Sequence, residues 1–241
     1  MIVGAELSGL SKQFLVAGHT VKVLENCSVC FPGGQISVIL GKSGCGKTTL
    51  IRMIAGLEPY DSGTLVAPPR EKIGMVFQEP RLMPWLNTWS NIVFGMKKAD
   101  IDHKAIAHVI ELTNLTGFER AYPHQLSGGM QQRVAIARTL VYNPQMILMD
   151  EPFSALDCFL RQTMQNKLIE IYQGLKKSIV FVTHSVDEAL LLGQKIVILG
   201  QGRVEKEYDL SALAYPRDPF SENLIAVKKE ILQCLKLSAE C

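Results

Sequence analysis

Gly41-Lys-Ser-Gly-Cys-Gly-Lys47-Thr48 follows the pattern G-x-x-x-x-G-K-[ST]. Glycines at those spacings let backbone N–H groups turn inward, and an inward-facing row of donors is a cradle for a chain of phosphates. The cradle runs from Gly41 through Ser43, Gly44, Cys45 and Gly46 to Lys47, Thr48 and Thr49. A helix beginning near Lys47 aims its positive end at the same point. The Lys47 ammonium can reach β- and γ-phosphates, and the Thr48 hydroxyl can ligate Mg²⁺. The competing reading is a plain glycine turn between a strand and a helix.

A second group of reactive side chains follows apolar runs. Met146-Ile-Leu-Met ends in Asp150-Glu151, Ile73-Gly-Met-Val-Phe ends in Gln78, and Ile179-Val-Phe-Val-Thr ends in His184. In an open α/β sheet, ligands bind beyond the carboxyl ends of the strands. Asp150 is then placed to hold Mg²⁺ directly or through water, and Glu151 to polarise an attacking water. The Gln78 amide reaches the metal or the water, and the His184 imidazole reaches a γ-phosphate and orients Glu151. Each has a plainer alternative. Two acids can cap a strand, a histidine at a strand end is often structural, and Asp157 can serve as an acid at a helix start.

These residues need a scaffold of strands with loops at one end, and the rest of the sequence supplies it. Ile36–Leu40, Met146–Met149, Ile179–Val182 and Lys195–Leu199 are short apolar runs of buried-strand length. Val21–Leu24 alternates as a strand does, and Pro32-Gly33-Gly34 marks a turn. Thr49–Leu57 has helical apolar spacing, and 88–138 is mostly helical by pattern, broken near Gly117 and Pro123. Strands alternating with helices predict a mainly parallel sheet covered on both faces, with the helical block inserted. Asn223–Leu237 reads as a terminal amphipathic helix.

With 241 residues, 47% apolar and 20% charged, the chain has the composition of one globular domain with lobes. A net charge of +2 gives no reason to expect nucleic acid as a partner. No apolar run reaches the roughly 18–20 residues that cross a bilayer, and Met1–Phe14 does not read as a signal peptide. The expected location is cytoplasmic, on the inner face of the cell membrane if the protein docks onto membrane subunits. Of six cysteines, Cys27 and Cys30 form C-x-x-C. No second ligand pair at zinc spacing accompanies them, and a redox pair would open a helix rather than lie in a strand, so both are expected to be structural thiols.

Leu126-Ser127-Gly128-Gly129-Met130-Gln-Gln-Arg133, with the motifs above in the same order, resembles the ATP-binding cassette (ABC) family. This segment looks like that family's signature motif, with Met130 where Gln is commoner. Physically it is a serine N-cap with exposed N–H groups at a helix start, which is itself an anion site. The resemblance runs from about Val3 to Glu207. It implies a P-loop NTPase α/β core with a mainly parallel sheet, an N-terminal antiparallel β subdomain and an inserted α-helical subdomain. The nucleotide-binding domain spans 1–207, its helical subdomain about 86–138, and a short helical extension 208–241.

By the same resemblance Ser127, Gly128 and Gly129 close over the ATP of a partner copy, so a homodimer is implied. Gln78 corresponds to the Q-loop glutamine, Asp150 and Glu151 to the metal-binding acid and catalytic base, Asp157 to the D-loop aspartate and His184 to the switch histidine. Phe14 stands where an aromatic stacks on adenine. Gln78-Glu-Pro-Arg-Leu-Met-Pro-Trp85 is similar to the same stretch of nitrate, sulfonate and taurine importers, which work with two membrane-spanning permease subunits and an external solute-binding protein. The implied function is an ATPase, with ATP and Mg²⁺ as cofactors, powering uptake of a small solute. Alternatives are a soluble non-transport member of the family, or a small-molecule kinase sharing the phosphate loop.

Overall fold

The computed structural model describes residues 4–154, 156–175 and 177–237. Its central sheet is built from β3 (Ile36–Leu40), β5 (Ile73–Val76), β6 (Met146–Asp150), β7 (Ser178–Thr183), β8 (Lys195–Gly200) and β9 (Arg203–Asp209). The order across the sheet is β5-β6-β7-β3-β8-β9. The first five strands are parallel, and β9 returns antiparallel along β8. Every residue of β3, β6 and β7 is buried, as expected for parallel strands packed on both faces.

Strand periodicity divides these apolar runs between two cores. Ile36, Val38, Leu40, Ile147, Met149, Ile179 and Phe181 face one core, together with apolar residues of α5 (Cys158–Leu175), α6 (Val186–Leu192) and α7 (Glu222–Leu237). Ile39, Met146, Leu148, Val180 and Val182 point the other way, toward α1 (Lys47–Ile54) and a second sheet. That sheet is antiparallel, in the order β2 (His19–Phe31), β1 (Ala5–Val16), β4 (Ser62–Val66).

Between β5 and β6 lie α2 (Thr88–Ile92), α3 (His103–Leu112) and α4 (Gly128–Val141). They share a third core of Ile92, Ile106, Ile110, Leu115, Leu126, Val134 and Ala137. The helical pattern expected over 88–138 is thus realised as separate helices. Val93 and Thr113 end the first two, and capping side chains start all three: Asn87, Asp102 and Ser127 each accept from a backbone N–H of the first turn. The apolar spacing of 49–57 also overruns its helix. α1 stops at Ile54, because Gly56 turns the chain at φ +65°.

Cys27 and Cys30 both lie on β2, where three residues' separation points them to opposite faces: Cys27 is buried and Cys30 exposed. Both thiols are free, and burial pushes that of Cys27 up to about 11. They therefore cannot share one ligand. No described helix is long and apolar enough to cross a membrane.

Candidate functional site

The strand register gathers the reactive residues. Leu40, the last residue of β3, pairs with Thr183 of β7, and Val182 pairs with Asp150 of β6. The loop after Leu40, the acids 150–151 and His184 therefore emerge side by side at the carboxyl ends of adjacent strands. Val76 of β5 pairs with Met149, so Gln78 leaves the next strand along at the same end.

The loop from Gly41 opens α1 without a side-chain cap, unlike α2, α3, α4 and α6. Gly46 stands at the cap position at φ +103°, and a Cβ there would lie 2.8 Å from the Val23 carbonyl oxygen. Only glycine fits, and the first N–H groups of α1 are left for an external acceptor. Gly41 is held as closely, with Leu199 O 2.3 Å from where its Cβ would be. Lys47 is buried, and its Nζ donates to the carbonyls of Gly41 and Lys42 at 2.8 Å each. The ammonium is thereby fixed over the loop, 4.0 Å from Glu151 Oε1.

The other oxygen of Glu151 lies 3.0 Å from His184 Nδ1, so one carboxylate spans the lysine and the imidazole. Its backbone adopts φ +43°, a left-handed conformation uncommon for a residue with a side chain. Three hydrogen bonds hold it there. Glu151 N donates to Val182 O, while its carbonyl accepts from Ser154 N and Ser154 Oγ. The turn costs backbone energy and swings the carboxylate toward the loop rather than along the strand.

Asp150 is buried, 3% exposed, and Oδ1 accepts from Thr48 Oγ1 at 3.0 Å. Burial is the main influence on its carboxyl and raises it above the ordinary 3.8, opposed by the Thr48 hydrogen bond and by Arg52. A buried carboxylate whose charge is under-compensated, beside a hydroxyl oxygen, is a hard oxygen pair of the kind that suits Mg²⁺. Mg²⁺ takes few protein ligands and completes its shell with water and phosphate oxygen. Burial also raises the Cys45 thiol in the loop, with Lys47 opposing.

This gives an expected result for the metal-free, nucleotide-free protein. The folded state releases the Asp150 proton at higher pH than the unfolded chain. Between those two values the folded state binds more protons, so stability falls as pH rises. Asp150→Asn keeps the Thr48 acceptor and carries no charge to desolvate. Urea titrations in chelator should show the variant gaining on the parent as pH climbs above about 3.8, then levelling. A parent that stays ahead at every pH contradicts this.

The structure thus brings together the loop 41–49, Asp150, Glu151 and His184. Among the described residues, no hydrogen bond or ion pair joins Phe14, Gln78, Ser127, Gly128, Gly129 or Asp157 to that cluster. Phe14 is half-buried on β1, with Lys12 Nζ 4.8 Å from its ring centroid, and Gln78 is exposed. Asp157 Oδ1 accepts from Leu160 N at the start of α5. Ser127 and Gly128 are exposed, while Gly129 is buried so tightly that a Cβ would meet Leu160 and Leu156 within 3 Å. Sequence reasoning passed over Ser154, which fixes the Glu151 turn. Its position three residues past Glu151, in a turn, is the signal that marks it.

A family described as ABC transporter matches residues 24–154. The aliphatic sulfonates import ATP-binding protein SsuB of Bacillus cereus is 40% identical, over 94% of this chain and 94% of its own. The taurine import ATP-binding protein TauB of Roseobacter denitrificans is also 40% identical, over 87% and 83%. A solved ATP-binding cassette, a dimer in a post-hydrolysis state bound to ADP and Pi, superposes with a TM-score of 0.77 at 30% identity, covering 86% of this chain and 98% of that one. Phosphate loop, strand-end acids and relatives agree: this chain belongs to the ABC transporter family.

Proposed function

We propose that the chain is the ATP-hydrolysing subunit of an importer, working as a homodimer beneath two membrane-spanning permease subunits on the inner face of the cell membrane. The observation that carries the chemistry is the Glu151 carboxylate, held between Lys47 and His184 over an uncapped helix start. The loop N–H groups and Lys47 receive the phosphates. Thr48 and Asp150, with Gln78, would hold Mg²⁺, which neutralises phosphate charge when bound. Glu151 accepts a proton from the attacking water, and His184 orients that carboxylate and the γ-phosphate. Phosphoryl transfer to water asks for positioning and charge stabilisation rather than a covalent intermediate.

Ser127, Gly128 and Gly129 of each copy complete the other's site, which accords with the exposure of Ser127 and Gly128 at the start of α4. Phe14 stacks on adenine, and Asp157 sits where the two copies meet. Trp85 is 70% exposed in a proline-bounded segment, a stiff apolar patch suited to a permease subunit. The segment leads directly into the helical lobe of about 86–138, and 208–241 is a short C-terminal extension. By analogy with the named relatives, the solute is a small sulfonate such as taurine, delivered by an external binding protein.

Reconstitution tests this. The chain should co-purify with two permease subunits and drive ATP-dependent uptake of labelled taurine or an alkanesulfonate into proteoliposomes. Hydrolysis that no permease stimulates would sink the transport assignment.

A further inference from the structure

We propose that Glu188 is a positioning residue for His184. It rests on the hydrolytic reading above and adds to it a buried carboxylate that sets where the imidazole points.

Glu188 lies in the first turn of α6 and is 8% exposed. Its Oε2 accepts from Thr183 Oγ1 at 2.5 Å, and the same hydroxyl oxygen accepts from Ser185 N at 3.0 Å. Ser185 Oγ accepts in turn from Glu188 N at 3.3 Å. The three residues close a ring around the backbone of His184, fixing the residue on each side of it. Without that ring, the turn between β7 and α6 has a single exposed histidine and little to aim it. With it, Nδ1 stands 3.0 Å from Glu151 Oε2.

The other oxygen of Glu188 faces α5. Oε1 accepts from Gln165 Nε2 at 3.1 Å and lies 3.9 Å from Arg161 Nε. Arg161 reaches back along the chain, donating from one terminal nitrogen to Leu156 O and from its backbone to Asp157 O. One carboxylate therefore hydrogen-bonds the histidine turn to α5 at Gln165. It reaches Arg161, beside Leu156–Asp157, only as an ion pair at 3.9 Å, and the Arg161 Nε makes no hydrogen bond among the described residues. Displacement of that segment by a second copy has a mechanical route to His184. Buried polar rings of this kind are rigid when fully satisfied, because an unmade bond leaves a desolvated group without a partner.

Thr183 separates positioning from packing. Thr183→Val keeps the volume and removes the hydroxyl. Thr183→Ser keeps the hydroxyl and leaves a methyl-sized gap in a fully buried strand. If the ring aims His184, Thr183→Val loses about tenfold or more in single-turnover hydrolysis with ATP affinity essentially unchanged. Thr183→Ser hydrolyses like the parent despite a lower urea midpoint. In a His184→Ala background, Thr183→Val should add no further loss. The proposal is overturned if Thr183→Val keeps the parental rate, if Thr183→Ser falls as far as Val, or if Val costs the same factor without His184. A parent chain that releases no phosphate from ATP defeats the functional reading instead, and is recognised before any variant is made.

Discussion

Glu151→Gln is expected to stop hydrolysis and to leave an ATP-bound dimer that does not come apart. Proton transfer by a positioned base contributes roughly 10²–10⁴-fold, and the amide cannot accept the water's proton. The substitution touches little else. Gln has nearly the same volume, and the left-handed backbone at this position is fixed by main-chain bonds and by Ser154, none of which involves the side chain. Lys47 keeps both loop carbonyls as partners, so ATP still binds. In the proposed dimer, the bound γ-phosphate is what the second copy grips. Its removal should release the pair, so a site that cannot remove it stays closed. Light scattering or gel filtration with Mg-ATP would show a persistent dimer for the variant and a transient one for the parent. A variant that turns over ATP at close to the parental rate would mean the base lies elsewhere.

The contrast with Asp150→Asn follows from burial. Asp150 carries a desolvation cost in the folded protein that Glu151, at 19% side-chain exposure, bears less of. On the proposed mechanism, adjacent acids at one strand end are used differently: the buried one would serve as the hard ligand that gains from a cation, and the more accessible one would face the water. The strand fixes Asp150, and the left-handed turn one residue later rotates Glu151 out of the strand's direction.

The catalytic strands were easy to read in the sequence because parallel strands covered on both faces must be continuously apolar. Ile36–Leu40 and Met146–Met149 can hardly be anything else. The strands at the margins were harder. β1 has register irregularities between Leu7 and Gln13, so its alternation slips and the pattern fails beyond a few residues. β4 is exposed along most of Ser62–Val66, and β9 is an edge strand of alternating charge, Arg203-Val-Glu-Lys-Glu. Neither buries enough apolar surface to leave a period in the sequence. In the helical block, the breaks expected near Gly117 and Pro123 fall between α3 and α4, with Gly117 at φ +87°. The break after α2 leaves no such marker, because it comes from capping and turn residues whose effect depends on the third core.

The site divides along the same line. Gly41–Thr48 is legible because its spacing is short-range and each glycine has a local steric reason. The Glu151–His184 contact needs two strands brought into register across 33 residues, and only the suffix of each strand hints at it. Glu188 gave no signal at all. A glutamate in the first turn of a helix is ordinary, favourable against the helix dipole and commonly solvated. Its burial against Gln165 and Thr183 is a property of packing between α5 and α6, which no local pattern encodes.

Ser127→Arg is expected to abolish hydrolysis for a reason outside its own chain. Ser127 caps α4 by accepting from Met130 N, and it is exposed together with Gly128. Within its own copy it makes no contact with the phosphate loop, Asp150 or Glu151 among the described residues. A bulky cation there removes the cap, at about 1 kcal/mol, which a domain of this size tolerates. ATP binding to the same chain should therefore survive within a few-fold. On the proposed arrangement, what is lost is the face offered to the partner's γ-phosphate. A single missing donor at such a charge typically costs about 10²–10³-fold, and an obstructed approach costs at least as much. The decisive readout is the order in protein. The parental rate per chain should rise with concentration as pairs form and then level off, while the variant stays flat and near background. Mixing Ser127→Arg with Glu151→Gln separates the two defects. A pair holding one of each retains one composite site with an intact base and an intact serine, since the Glu151→Gln copy lends its Ser127 to the other's nucleotide. Partial recovery in the mixture, with neither variant active alone, is the outcome that a shared site requires. A concentration-independent parental rate, or a mixture as inactive as its parts, would place both halves of the chemistry within one chain.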